Sequence, residues 1–257
     1  DITLTEDDTT SVTAQATIVD TDGFQDIMDV TARVYREGVS GGSSCAVDEN
    51  NCYATSCSLS SCSGNTCTAS CSVDIEFFAD PTDADSPWSD ESWIAAVTAI
   101  DYALNSDTAS STAGVVDVQS LSAFAIDNAI TFDPVGSLGG KGEMTKQLVI
   151  ESKGNTALMF DIYSTDLTYV TSTATHTIKA EHIRYATSSG VSYASGGIMP
   201  TSSNPAELDG VLPKVVDKDI SVTTSVYLGV SPPTGVPAEL FTGIITILGV
   251  ISDLPWP

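Results

Sequence analysis

Apolar and polar residues alternate with a period of two along most of the chain. Ile2-Thr3-Leu4-Thr5 and the stretches 11–19 and 29–35 each set one row of side chains on a single face, with many β-branched residues among them. The same pattern predicts strands at 71–79, 93–101 and 114–124. Further strands are expected at 129–132, 146–152, 158–164, 176–183, 220–230 and 241–251. The last of these is apolar on both faces and reads as a central, buried strand. Turn chemistry separates the runs: Gly139-Gly140, Lys153-Gly154-Asn155, Gly196-Gly197, Pro232-Pro233 and Thr234-Gly235. The one helix candidate, 91–104, is better read as a strand, because Trp93, Ala95, Val97 and Ala99 alternate. Short strands with recurring turns predict an all-β chain built as two antiparallel β-sandwich domains.

Charge sharpens the division. The chain of 257 residues carries 34 acids against 9 bases, a formal net charge of −25. Residues 1–126 hold 21 acids and two bases, Arg33 and Arg36, and contain no lysine; residues 127–257 hold 13 acids and seven bases. This shift places a seam near 121–127 and gives domains 1–123 and 124–257. A surface this acidic repels nucleic acid and anionic lipid. The longest apolar stretch, near 240–251, is too short to span a bilayer, so no membrane span is expected. With 42% hydrophobic residues the chain can fill a core, which excludes a disordered polymer.

Cys45, Cys52, Cys57, Cys62, Cys67 and Cys71 are the only cysteines and fall within one Ser/Gly-rich segment, 40–71. An even count crowded into polar sequence predicts three disulfides rather than zinc, because paired C-x-x-C knuckles are missing and neither histidine is near. The pairing stays open among 15 possibilities. Disulfides predict a secreted, extracellular or cell-surface protein, and the opening Asp1 reads as a processed or trimmed terminus.

The sharpest local signal for chemistry is Asp20-Thr21-Asp22-Gly23-Phe24-Gln25-Asp26, alternating carboxylates around a glycine turn of the kind that wraps calcium. If 29–36 and 71–79 form a hairpin tipped by the cysteine segment, Asp80, Asp83 and Asp85 come to lie beside Asp20, Asp22 and Asp26. Six carboxylates there would call for calcium as a cofactor. Catalytic signals are poor. His176 and His182 have no nucleophile nearby, the pair Asp90/Glu91 is expected from composition, and no phosphate-cradling loop follows Gly136–Gly142, so no enzyme is expected. Trp88, Trp93 and Trp256 are candidates for a glycan-stacking platform, although Trp93 falls in an alternating strand.

Several motifs occur in a fixed order: Ile2-Thr3-Leu4-Thr5-Glu6, Val19-Asp20-Thr21-Asp22-Gly23, Asn50-Asn51-Cys52-Tyr53, Phe77-Phe78-Ala79-Asp80-Pro81-Thr82-Asp83-Ala84 and Trp93-Ile94-Ala95-Ala96-Val97-Thr98. Lys153-Gly154-Asn155-Thr156-Ala157-Leu158, Tyr227-Leu228-Gly229-Val230 and 234–243 continue the series. In these the chain resembles poorly characterised secreted β-sandwich surface proteins of small-genome archaea and bacteria. The resemblance implies an immunoglobulin-like first domain and names no catalytic residue. The second half is loosely similar to the jelly-roll subunits of TasA/camelysin-type biofilm fibres. The function expected is an extracellular structural subunit whose partner is another copy of itself, polymerising by β-strand addition. Residues 1–5 are the expected donor strand, with Ile2 and Leu4 as its anchors and Leu254 and Trp256 as a second contact. The alternative is a monomeric adhesin or carbohydrate-binding module for surface glycans.

Overall fold

The computed structural model describes residues 1–111, 116–126, 129–132, 144–171 and 174–252, and it is all-β. Two compact units divide the chain. Unit 1 comprises Asp1–Ala123 with Lys153–Thr156 and Lys214–Ile220; unit 2 comprises Phe124–Ser152, Ala157–Pro213 and Ser221–Pro257. No helix of the described residues is long and apolar enough to cross a membrane.

Unit 1 contains β1 (Thr9–Val19), β2 (Ile27–Arg36), β3 (Cys52–Ser56), β4 (Ser58–Ser63), β5 (Thr66–Glu76), β6 (Trp93–Asp101) and β7 (Ser106–Ser110). They form two antiparallel sheets, ordered β1-β5-β4 and β3-β2-β6-β7. Strand β5 shows why the cysteine segment joins the sandwich. Cys67, Ala69, Cys71, Val73 and Ile75 all point inward and are buried, while the residues between them face outward. Half-cystines thus extend the alternation as apolar positions. Core side chains come from both sheets: Val34, Tyr53 and Trp93 from one pack with Val73 and Ile75 from the other.

This layout corrects the expected hairpin. Strand β2 pairs with β3 and β6, whereas β5 pairs with β1 and β4, so the segments 29–36 and 71–79 lie in different sheets. The cysteine segment is a structural part of both sheets rather than a hairpin tip, because β3 extends β2 and β4 extends β5.

Unit 2 contains β8 (Phe124–Ile126), β9 (Lys146–Ser152), β10 (Leu158–Ser164), β11 (Leu167–Val170), β12 (Thr175–Ile178), β13 (Ile183–Ala186), β14 (Gly197–Ile198), β15 (Ala206–Glu207), β16 (Thr223–Val230) and β17 (Ile245–Ile251). Its sheets run β14-β13-β16-β9-β8, β15-β10-β17 and β11-β12. A single cluster of Leu148, Ile150, Leu158, Phe160, Ile162, Ile183, Val226, Leu228 and neighbours fills it. The expected strand at 176–183 is broken in two by a short 3-10 turn, Ala180–His182, whose Ala180 N–H bonds the Asp166 carboxylate. Strand β17 is at the edge of its sheet rather than central, and Leu248 and Val250 are exposed. An apolar run on both faces does not by itself report position within a sheet.

Of the strand expected over 114–124, residues 116–123 carry only one bridge, Val118 to Ile2. Their backbone groups bond elsewhere in unit 1: Val118 O accepts from Thr82 N at 2.9 Å, and Leu121 N donates to Asn155 Oδ1 at 2.6 Å. Gly154 is required here, since a Cβ would stand 1.9 Å from the carbonyl oxygen of Leu121.

Candidate functional site

Two clusters in unit 1 gather side chains able to do chemistry. The first grows from the ends of three segments that meet beyond β2. Asp48 accepts the N–H groups of Asn50, Asn51 and Cys52 at 3.0, 2.8 and 3.1 Å, which folds the loop entering β3. That loop presents Asn50, whose carbonyl accepts Asp80 N at 2.8 Å. Asp80 follows the turn after β5, and its carbonyl accepts the Trp93 indole N–H at 3.0 Å. Arg36 closes β2. Its Nε donates to Asp80 Oδ2 at 3.2 Å and its Nη1 pairs with Glu91, which also accepts Gly38 N–H at 2.9 Å.

Into this pocket comes Lys214. Its Nζ lies 2.5 Å from Asp80 Oδ1, 2.9 Å from Asn50 Oδ1 and 3.1 Å from the carbonyl of Phe78. Lys214 is only 3% exposed and Asp80 4%. Trp88 covers the group, with the Arg36 guanidinium 4.7 Å and the Lys214 ammonium 5.7 Å from its ring centre. Burial pulls the Lys214 ammonium below its ordinary value, and the Asp80 carboxylate opposes that shift. Two cations share one buried carboxylate, so removing the carboxylate would leave uncompensated buried charge.

The second cluster is the loop after β1. Carboxylate oxygens of Asp20, Asp26 and Asp101 all lie within 4.8 Å of one another. Asp22 does not join them; its N–H donates to Asp20 Oδ1 at 2.9 Å and its side chain is exposed. Asp26 titrates above the usual carboxylate range, through desolvation and then the charges of Asp20, Asp101 and Asp22. Asp101 titrates low because Asn105 donates to both of its oxygens at 2.8 Å.

The other half of the expected calcium set is used differently. Asp80 is locked between Arg36 and Lys214. Asp83 accepts both the N–H and the hydroxyl of Ser120 at 2.7 Å, and Asp85 is exposed. The physical reason is the sheet assignment: the end of β5 is not beside the start of β2.

All six cysteines are paired, as Cys45–Cys52, Cys57–Cys71 and Cys62–Cys67. Ile2 and Leu4 are buried inside unit 1 with Val34, Ile75, Trp93 and Val118, while Leu254 and Trp256 lie outside the described residues. Trp93 is buried, and the partly buried Trp88 is engaged by the two cations. His176 stacks on Tyr169 across β11 and β12, and the His182 carbonyl accepts the Tyr193 hydroxyl at 2.8 Å.

Four participants escaped the sequence reading: Arg36, Asn50, Lys214 and Asp101. A signal existed for one. Lys214 interrupts the apolar run Val211-Leu212-Pro213-Lys214-Val215-Val216, and a lone charge in such a run marks a buried ion with a partner. No family model matches the chain, and no curated protein matches it.

Proposed function

We propose that this chain is a secreted structural subunit of an extracellular filament, pilus-like thread or surface layer, assembled by β-strand addition. The observation that carries the proposal is the state of residues 1–5. Ile2 and Leu4 sit 9% and 5% exposed in the core of unit 1, yet their backbone is tied by one parallel bridge, with Ile2 N donating to Asp117 O at 2.7 Å and Gln119 N donating to Ile2 O at 2.9 Å. The segment is followed by an exposed turn, Glu6-Asp7-Asp8, in which Asp7 takes a left-handed φ of 55°. A short segment with two buried anchors, outside any sheet and followed by an exposed turn, is suited to exchange between copies, one chain's segment filling the groove of the next as an added strand.

Other features support the same reading. Three disulfides suit an oxidising compartment. The sheet orders β1-β5-β4 and β3-β2-β6-β7 follow the B-E-D and C′-C-F-G neighbours of an immunoglobulin sandwich, in keeping with the resemblance to secreted surface proteins. Calcium at Asp20, Asp26 and Asp101 would neutralise the acid crowding beside β2.

Deleting residues 1–5 tests the proposal. The two side chains contribute about 3–6 kcal/mol before ordering costs. The truncated chain should stay folded but less stable, bind a synthetic peptide of residues 1–8, and yield discrete particles by negative-stain imaging where the full chain yields polymers. Normal polymers from the truncated chain would show that residues 1–5 are not the donor and would make the C-terminal tail with Leu254 and Trp256 the leading candidate. Discrete particles from both forms would favour a monomeric adhesin.

A further inference from the structure

The Lys214 pocket holds the parts of a reaction. A buried amine, a carboxamide and a carboxylate converge within hydrogen-bond distance, and a tryptophan ring covers them. We propose that Lys214 and Asn50 become joined by an isopeptide bond that the folded chain forms itself, with Asp80 as the proton-transferring catalytic residue.

The geometry assigns each role. Asp80 Oδ1, 2.5 Å from Nζ, takes a proton from the Lys214 ammonium and leaves a neutral amine. Desolvation favours that step, since it disfavours the charged lysine. The amine attacks Cγ of Asn50, whose Oδ1 is already 2.9 Å from Nζ. The carboxamide cannot swing away, because its Nδ2 donates to the Val216 carbonyl at 2.6 Å. Asp80 returns the proton to Nδ2, the Cγ–Nδ2 bond breaks, and ammonia departs, taking the second proton of the former lysine nitrogen to leave as ammonium. In sum, a lysine ammonium and a carboxamide give a secondary amide and one ammonium ion, with no oxidant or other reactant needed.

Asp80 is the base rather than the group attacked. Its second oxygen is held by Arg36 Nε at 3.2 Å, and a carboxylate between two cations resists attack by an amine, whereas a neutral carboxamide accepts it. Arg36 and Phe78 act as positioning groups: the first anchors Asp80, and the second's carbonyl, 3.1 Å from Nζ, orients the amine. Asn50 and Lys214 are 164 residues apart in sequence, so the bond would close most of the chain into a covalent loop. This proposal does not depend on strand addition, and either can fail without the other.

Mass spectrometry of the purified full chain, after complete reduction and alkylation, decides the matter. The expected mass is lower than that of the fully alkylated sequence by one ammonia, about 17 Da. Trypsin should then fail to cut after Lys214 and should release residues 185–218 joined to residues 37–141. Asn50→Ala keeps the Lys214–Asp80 pair, so it should fold and show the full sequence mass with normal cleavage after Lys214. Asp80→Asn, refolded and checked by circular dichroism, should form the bond about 100-fold or more slowly. A full sequence mass in the folded wild-type chain would overturn the proposal and leave the pocket an ion pair only. Loss of about 18 Da, mapped to Asp80 and Lys214, would overturn the choice of Asn50. Bond formation at the wild-type rate in folded Asp80→Asn would remove Asp80 from the mechanism.

Discussion

Units 1 and 2 are both antiparallel β structures, but they are held together by different means. Unit 2 has one core of large aliphatic and aromatic side chains, among them Leu158, Phe160, Ile162, Ile183 and Leu228, and it contains no cysteine. Unit 1 spreads its burial over three smaller clusters, where Ala32, Ala69, Ala96, Cys45, Cys52 and Cys71 occupy inward positions. Small inward residues remove less apolar surface from water, so the same architecture gains less from burial. Three disulfides and the Arg36–Asp80–Lys214 cluster occupy the unit with the thinner core. An alternating pattern thus specifies a sheet, while the size of the inward side chains decides what else the sheet needs.

Reduction should separate the two units most strongly. Loops of 7, 14 and 5 residues are closed by the three bridges, each contributing roughly 2–3 kcal/mol in the chain-entropy account. With reductant, hydrogen exchange should rise sharply in β1, β2 and β5 and stay unchanged in β10 and β16. Equal loss of protection in both units would break the comparison. The reciprocal change is Ile162→Ala, which should cost unit 2 about 2–5 kcal/mol. Region-resolved exchange in a urea series should show that loss in β10 and β17 with β5 unaffected.

A smaller effect belongs to Asp83, whose carboxylate accepts two bonds from Ser120. Asp83→Ala should cost unit 1 about 1–3 kcal/mol. The loss should be the same with calcium or chelator, because Asp83 stands apart from Asp20 and Asp26; a calcium-dependent loss would reopen the six-carboxylate site.

The smallest effects are electrostatic and opposite in sign. Asp26 titrates above its unfolded value of 3.8, so unit 1 loses stability as pH rises through that raised value. Asp26→Asn should therefore raise the melting temperature of unit 1 at neutral pH and low salt, an advantage that fades in acid and at high salt. If calcium occupies the triad, it should raise the wild-type melting temperature more than sodium at matched ionic strength, and Asp26→Asn should abolish the difference. Asp166 behaves oppositely in unit 2. Lys179 Nζ at 2.7 Å and Ala180 N–H at 2.9 Å hold it below 3.8, so its contribution is present above that pH and lost as pH falls through the depressed value. Asp166→Asn should lower unit 2 stability at neutral pH and make no difference in strong acid. Calorimetry across pH would reveal any departure from these signs.

Local periodicity carried the strand reading well in both units. The stretches 93–101, 146–152 and 158–164 match β6, β9 and β10 residue for residue. It failed at 129–132, which forms no strand, and at 116–123, where the backbone bonds Ile2, Thr82 and Asn155 and meets β6 only through Trp93 N and Val116 O. Of the calcium set, Asp20 and Asp26 are near each other because the turn at Gly23 and the 3-10 turn Phe24–Asp26 join them, whereas Asp101 enters only through the pairing of β6 with β2.

The amino-acid sequence by itself determined the period-two pattern, the all-β class, the crowding of six cysteines and the absence of lysine from the first half. Those are properties of residue type and spacing, and no fold is needed to read them. Only the tertiary structure decided which strands share a sheet, how the cysteines pair, and where the lysines go. Lys153 reaches Asp7, Lys214 reaches Asp80, and Lys218 reaches Glu49 and Glu76, so segments from beyond residue 150 bring cations to an acidic unit that has only two of its own before residue 124. The Asn50–Lys214 contact spans 164 residues. Apolar burial and backbone pairing bring such distant groups together, and the polar contacts then form between whatever side chains arrive, a choice that residue spacing along the chain does not encode.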